Sequence, residues 1–93
     1  MSEAVVKLDA RLDMANAGAL AQKILEHADG DLTLDASEVT HFGAMGLQVV
    51  RAAAKSWHQS GHKLSMTGIS IDCADQLQLL GFSSENICLW EES

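Results

Sequence analysis

The sequence predicts a single α/β domain, with a small mixed, largely parallel sheet of four or five strands and helices packed on it. Short β-type segments alternate along the chain with segments of helical periodicity, and glycines fall where those segments end. The 93 residues contain no proline and leave no room for a second core or a linker. We therefore expect one domain over residues 1–93.

The first half of the chain predicts one or two short strands, a helix and a central strand. Residues 4–12 (AVVKLDARL) carry the strand pattern, and residues 32–37 carry it again. Between them Asp13 or Asn16 can accept free N–H groups at a helix start, His27 falls in the last turn, and Gly30 supplies a left-handed C-cap. The apolar residues of this helix recur at steps of three and four: Ala17, Leu20, Ala21, Ile24, Leu25 and Ala28.

The second half predicts a loop, a helix, a strand and a short third helix. In residues 38–46 (EVTHFGAMG), Gly43 and Gly46 permit a tight strand-to-helix turn. Gly61 ends the helix over residues 46–59, in which Trp57 is expected in the core, and Gly81 ends the third helix. Residues 63–68 alternate as a half-buried strand does, and residues 86–90 predict a last strand or a packing segment. The buried face of the third helix is predicted from four residues: Ile71, Ala74, Leu77 and Leu80.

Charge and composition exclude several function classes. The net charge of −7, from 13 acidic and 6 basic residues, opposes binding to nucleic acid and suits solubility or a basic protein partner. No apolar run could span a bilayer, and the N-terminus lacks a signal-peptide pattern, so we expect a cytoplasmic protein without membrane insertion. Cys73 and Cys88 lack the CxxC spacing and are expected to be reduced thiols.

No motif for catalysis, cofactor or metal binding stands out. The stretch FGAMG matches neither phosphate-loop pattern, and no GxSxG nucleophile elbow occurs. His58 and His62 have the four-residue spacing of zinc ligands on a helix, but Gly61 ends the helix between them. We predict no enzyme, no cofactor and no metal.

Four stretches of the sequence together resemble the STAS domain family of anti-sigma-factor antagonists over roughly residues 4–90. They are RLDMANAGAL, DLTLDASEVTHFGAMGLQVVRAAAK, GHKLSMTGIS and LQLLGF. The family's most specific motif is an aspartate-serine-serine-glycine-leucine loop before the second helix. Here it corresponds to Gly43-Ala44-Met45-Gly46-Leu47, so the usual phosphoacceptor position is Met45, which has no hydroxyl group.

The resemblance implies a bacterial regulatory domain that binds a protein partner through this loop and the second helix. The partner it implies is a kinase-type ATPase, an anti-sigma factor or a chemotaxis kinase, and the binding acts in signal transduction and transcription regulation. An accessory STAS subunit of a phospholipid-transporting ABC complex is the alternative. Phe42 and Met45 could instead pack on the end of the sheet. The partner-binding residues that the resemblance implies are His41, Phe42, Ala44, Met45, Gln48 and Arg51.

Overall fold

The computed structural model describes residues 4–83 and 86–90. Strands and helices alternate in this part of the chain, which confirms the predicted α/β fold class. The elements in chain order are β1 (Ala4–Lys7), β2 (Arg11–Leu12), α1 (Met14–Leu25), β3 (Leu32–Asp35), β4 (His41–Phe42), α2 (Ala44–Gln59), β5 (Leu64–Thr67) and α3 (Ile71–Leu79).

The strands form two parallel ladders. β3 lies between β1 and β5 in a three-stranded sheet, and β2 pairs with β4 beside it. Every pairing within the described residues is parallel, so the prediction of a mixed sheet is wrong in that detail. β4 lies in the segment predicted as a loop, because a strand of two residues is too short to show an alternating pattern.

The two faces of the three-stranded sheet differ in polarity. Leu32 and Leu34 of β3 are buried in the core that α1 and α2 complete. The residues between them point to the opposite face, where the register aligns Val5, Thr33 and Ser65 across the three strands. The Thr33 and Ser65 hydroxyl oxygens lie 3.1 Å apart, and Val5 is exposed.

Two of the three predicted glycine helix ends are confirmed. Gly61 and Gly81 have φ values of 76° and 89°, which follow α2 and α3 and favour glycine. The prediction for Gly30 is wrong, since its φ is not in the left-handed region. α1 ends at Leu25 through successive tight turns, so His27 lies beyond the helix and not in its last turn.

The buried face of α3 differs from the prediction. Cys73 and Leu77 are buried, whereas Ile71 is 82% exposed and Leu80 is also exposed. The Ser70 hydroxyl caps the helix by accepting the N–H of Cys73 at 3.1 Å. A spacing of three or four residues fits both faces, and the cap at Ser70 belongs to the one that buries Cys73.

The C-terminal segment, residues 86–90, packs on the domain without forming a strand. Its Ile87 side chain is fully buried. Trp57 of α2 is in the core, as predicted, and its indole N–H donates to the Gly30 carbonyl oxygen at 2.9 Å. Within the described residues, no helix is both long and apolar enough to cross a membrane.

Candidate functional site

The first turn of α2 lies directly against the end of β2. α2 begins at Ala44, two residues before the predicted start, so Gly46 lies inside the helix. A Cβ atom at Gly46 would lie 2.6 Å from both the Cβ and the carbonyl oxygen of Leu12. Neither Gly43 nor Gly46 has a positive φ. The glycine at 46 is therefore required for close packing, and not for the tight turn that we predicted.

Four of the six predicted partner-binding residues reach the surface around this turn. Ala44 and Gln48 are exposed, and His41 and Met45 are half-buried. Ala44, Met45 and Gln48 lie within the first five residues of α2, and His41 lies on β4 just before it. Their role in partner binding remains a prediction.

Phe42 is a core residue and not an exposed contact residue. Its side chain is 2% exposed and belongs to the hydrophobic core. Successive residues of a strand point to opposite faces, so β4 turns Phe42 inward and His41 toward the surface. The alternative that Phe42 packs on the sheet end is the one that its burial supports.

Arg51 is engaged within the domain. Its guanidinium carbon lies 4.7 Å from the ring centroid of Phe82 and 5.1 Å from that of Trp90. Its Nη1 atom donates to three carbonyl oxygens of the C-terminal segment: Asn86 at 3.2 Å, Ile87 at 2.7 Å and Leu89 at 2.6 Å. The prediction that Arg51 contacts a partner is therefore replaced by a role in holding the C-terminal segment.

An apolar groove of about 250 Å³ runs between α1 and α2 beside Met45. Small side chains keep it open, and none of the residues lining it is charged. Its main lining residues are Ala21, Leu25, Met45, Gln48, Val49 and Ala52. We call the groove, together with Met14 and Ala44 near the starts of the two helices, the α1–α2 face.

The α1–α2 face lacks charge over long stretches of both helices. Residues 14–22 and 44–50 include no Asp, Glu, Lys or Arg, although 20% of the chain is charged. Met14 is 75% exposed and Leu25 is 58% exposed. Exposed apolar side chains beside a groove are typical of protein-binding surfaces.

The described residues do not assemble a reactive centre around this face. They include no group of three or more His, Cys, Asp or Glu side chains that could hold a metal ion. Burial raises the pKa of the Cys73 thiol, and it raises the pKa of Cys88 to about 12 although the Arg51 charge opposes it. Both thiols are therefore protonated, and poor nucleophiles, at neutral pH.

Sequence reasoning missed one polar residue that contacts the segment before α2. The side-chain amide of Gln76 in α3 accepts the N–H of Phe42 at 2.6 Å and donates to the carbonyl oxygen of Thr40 at 3.2 Å. A glutamine in a helix carries no sequence signal for such a contact, because its partners lie more than 30 residues earlier in the chain.

The comparison with protein families decides the membership of this chain. A family model described as "Mlab, STAS domain" matches residues 1–89. The chain belongs to the STAS family. STAS domains are in general non-enzymatic interaction domains, and this agrees with the uncharged, apolar α1–α2 face.

A solved structure supports the same fold. The crystal structure of a sulfate transporter family protein from Wolinella succinogenes superposes with a TM-score of 0.72 at 17% sequence identity. The match covers 85% of the present chain and 66% of that chain, slightly less than two thirds of its length. No curated protein matches the sequence.

The loop of this STAS domain departs from the family pattern in a way that the geometry explains in part. A Cβ atom at Gly43, the usual aspartate position, would lie 3.0 Å from the Leu12 carbonyl oxygen and 3.3 Å from Nε2 of His41. An aspartate at this position would therefore crowd both groups. Gly46 and Leu47 keep the family residues, and both are buried.

Proposed function

We propose that this STAS domain is a non-enzymatic regulatory module that binds an ATPase partner through the α1–α2 face. The observation that carries the proposal is the uncharged apolar groove beside Met45. Such a groove accepts an apolar segment of a partner without leaving charges buried and unpaired. His41, Ala44 and Gln48 would form the polar margin of the contact.

Met45 makes this binding independent of phosphorylation at the usual position. A thioether has no hydroxyl oxygen to accept a phosphoryl group, and Ala44 beside it has none either. The domain would then bind its partner constitutively. Phosphate found on Ser37, Thr40 or Ser83 would mean that a switch acts elsewhere.

Two classes of ATPase partner fit the proposal. The first is a soluble kinase-type ATPase, an anti-sigma factor or a chemotaxis kinase, in keeping with the resemblance to anti-sigma-factor antagonists. The second is the ATPase of a phospholipid-transporting ABC complex, with this chain as an accessory subunit. The name of the matching family model, Mlab, and the sulfate transporter title of the similar structure favour the second class over the first.

Affinity capture separates the two partner classes. The tagged chain would be incubated with a cytosolic extract and with a detergent-solubilised membrane extract of the source organism, and retained proteins identified by mass spectrometry. An ABC complex retained from membranes supports an accessory subunit, whereas a kinase-type ATPase from the cytosol supports the antagonist-like role. Retention of neither class of ATPase would contradict the proposal.

Replacing Met45 by aspartate tests the groove directly. Burial of a methionine side chain is worth about 1.5 to 3 kcal/mol, so a charge here should weaken binding of the captured ATPase by roughly ten- to hundredfold. The melting temperature should change little, because Met45 is half-buried and an aspartate near a helix N-terminus is favourable. Calorimetric titration and thermal melting measure the two effects separately.

Ala28→Asp is the matched control, because it adds the same charge at an exposed position outside α1 and α2. It should leave the affinity within about twofold of the unaltered protein, as expected of a surface substitution away from the contact. A low melting temperature with unchanged affinity for Met45→Asp would assign Met45 to the core and remove it from the binding surface.

A further inference from the structure

The segment between β4 and α2 is held from α3 by a single side chain. Gln76 accepts the N–H of Phe42 at 2.6 Å and donates to the carbonyl oxygen of Thr40 at 3.2 Å. These two peptide groups flank His41 on either side. No other hydrogen bond links α3 to this segment within the described residues.

The geometry of these bonds matches the pairing of a parallel strand. In a parallel pair, one residue donates its N–H to the carbonyl before its neighbour and accepts the N–H that follows that neighbour. The Gln76 amide makes both bonds around His41. On the other edge of β4 the N–H of His41 donates to the Ala10 carbonyl oxygen of the segment leading into β2, at 3.1 Å. Gln76 therefore takes the place of a missing strand on the outer edge of β4.

We propose that Gln76 is the positioning residue of the partner-binding surface. β4 pairs with β2 over only two residues, and such a short ladder is weak by itself. The Gln76 amide adds the second edge and so fixes the direction in which His41 and the start of α2 face the solvent. The inference rests on the proposed function for its meaning, and on the two hydrogen bonds for its geometry.

A graded series of substitutions separates the two hydrogen bonds. Gln76→Leu keeps much of the side-chain volume and removes both bonds. Gln76→Glu keeps the acceptor for the N–H of Phe42 and, when ionised, loses the donor to Thr40. Gln78→Leu is the matched control, since Gln78 lies exposed on the same helix and its side chain makes no hydrogen bond within the described residues.

Amide hydrogen exchange of ¹⁵N-labelled protein reports the result without any partner. In Gln76→Leu the Phe42 amide should exchange roughly two- to tenfold faster, the change expected for loss of one net hydrogen bond. The Val50 amide within α2 serves as the reference for global opening and should change less. In Gln76→Glu the Phe42 amide should stay protected while the carbonyl ¹³C shift of Thr40 moves, which keeps the test decisive if the leucine variant does not fold.

Titration with the captured ATPase completes the test. A partner that must order the segment itself loses affinity by about the factor by which order was lost, again roughly two- to tenfold. Equal exchange rates at Phe42 in the Gln76→Leu and Gln78→Leu variants, or an equal rise at Phe42 and Val50, would overturn the positioning role. Faster exchange at Phe42 with unchanged affinity would also overturn it. Failure of the proposed function appears separately, as unchanged binding by Met45→Asp.

Discussion

Replacing Gly46 by alanine is expected to destabilise the domain by about 3 kcal/mol or more, because the added Cβ cannot fit against Leu12. The new atom would lie 2.6 Å from the Leu12 carbonyl oxygen and from its Cβ. Leu12 is fully buried, so β2 cannot retreat without opening the core. Urea unfolding followed by circular dichroism would measure the change in the free energy of unfolding.

Gly18→Ala is a control of the same chemistry in another helix. Gly18 lies within α1, and nothing lies within 4 Å of the position that its Cβ would occupy. Alanine there should stabilise the domain by about 0.5 to 1 kcal/mol, since it restricts the unfolded chain and favours the helix. Similar behaviour of the two variants would show that Leu12 and α2 are not in close contact.

Replacing Arg51 by methionine is expected to release the C-terminal segment. The variant keeps an apolar side chain and removes the donor shared by the three carbonyl oxygens, at a cost of about 2 kcal/mol. For a domain of this size the melting temperature should fall by roughly 10 °C. Cys88 should also react faster with a thiol reagent in the folded state, because the segment that buries it detaches more often.

Lys55→Met is the corresponding control. The Lys55 ammonium group lies 5.7 Å from the ring centroid of Trp90, and its loss should cost only about 0.5 kcal/mol. If Arg51→Met left both the melting temperature and the reactivity of Cys88 unchanged, Arg51 would be free to contact a partner, as the family resemblance implies.

Local chemistry explains which parts of the fold could be predicted from the sequence. Gly61 and Gly81 end their helices because a left-handed C-cap needs glycine, and this preference depends on neighbouring residues alone. The face of α3 could not be predicted in the same way. Its apolar residues fit two helical faces, and only packing against the sheet decides between them.

The candidate site was predicted in position but not in detail. The family motif places the loop at residues 43–47, and α2 begins there. The burial of Phe42 depends on β4, which pairs with a strand about 30 residues earlier. Arg51 binds carbonyl groups 35 to 38 residues further along the chain. Contacts over such separations leave no periodic pattern in one sequence.

The lack of charge on the α1–α2 face separates the long-range field of the protein from its candidate contact surface. The net charge of −7 attracts a basic partner over distance and raises the rate of encounter, and dissolved salt screens that attraction. Once a partner is seated, the groove contributes apolar contacts and no ion pair. For a complex formed here, added salt slows association while the dissociation rate constant stays nearly the same. The lifetime of the complex is then set by packing in the groove, and its rate of formation by carboxylates that lie elsewhere on the molecule.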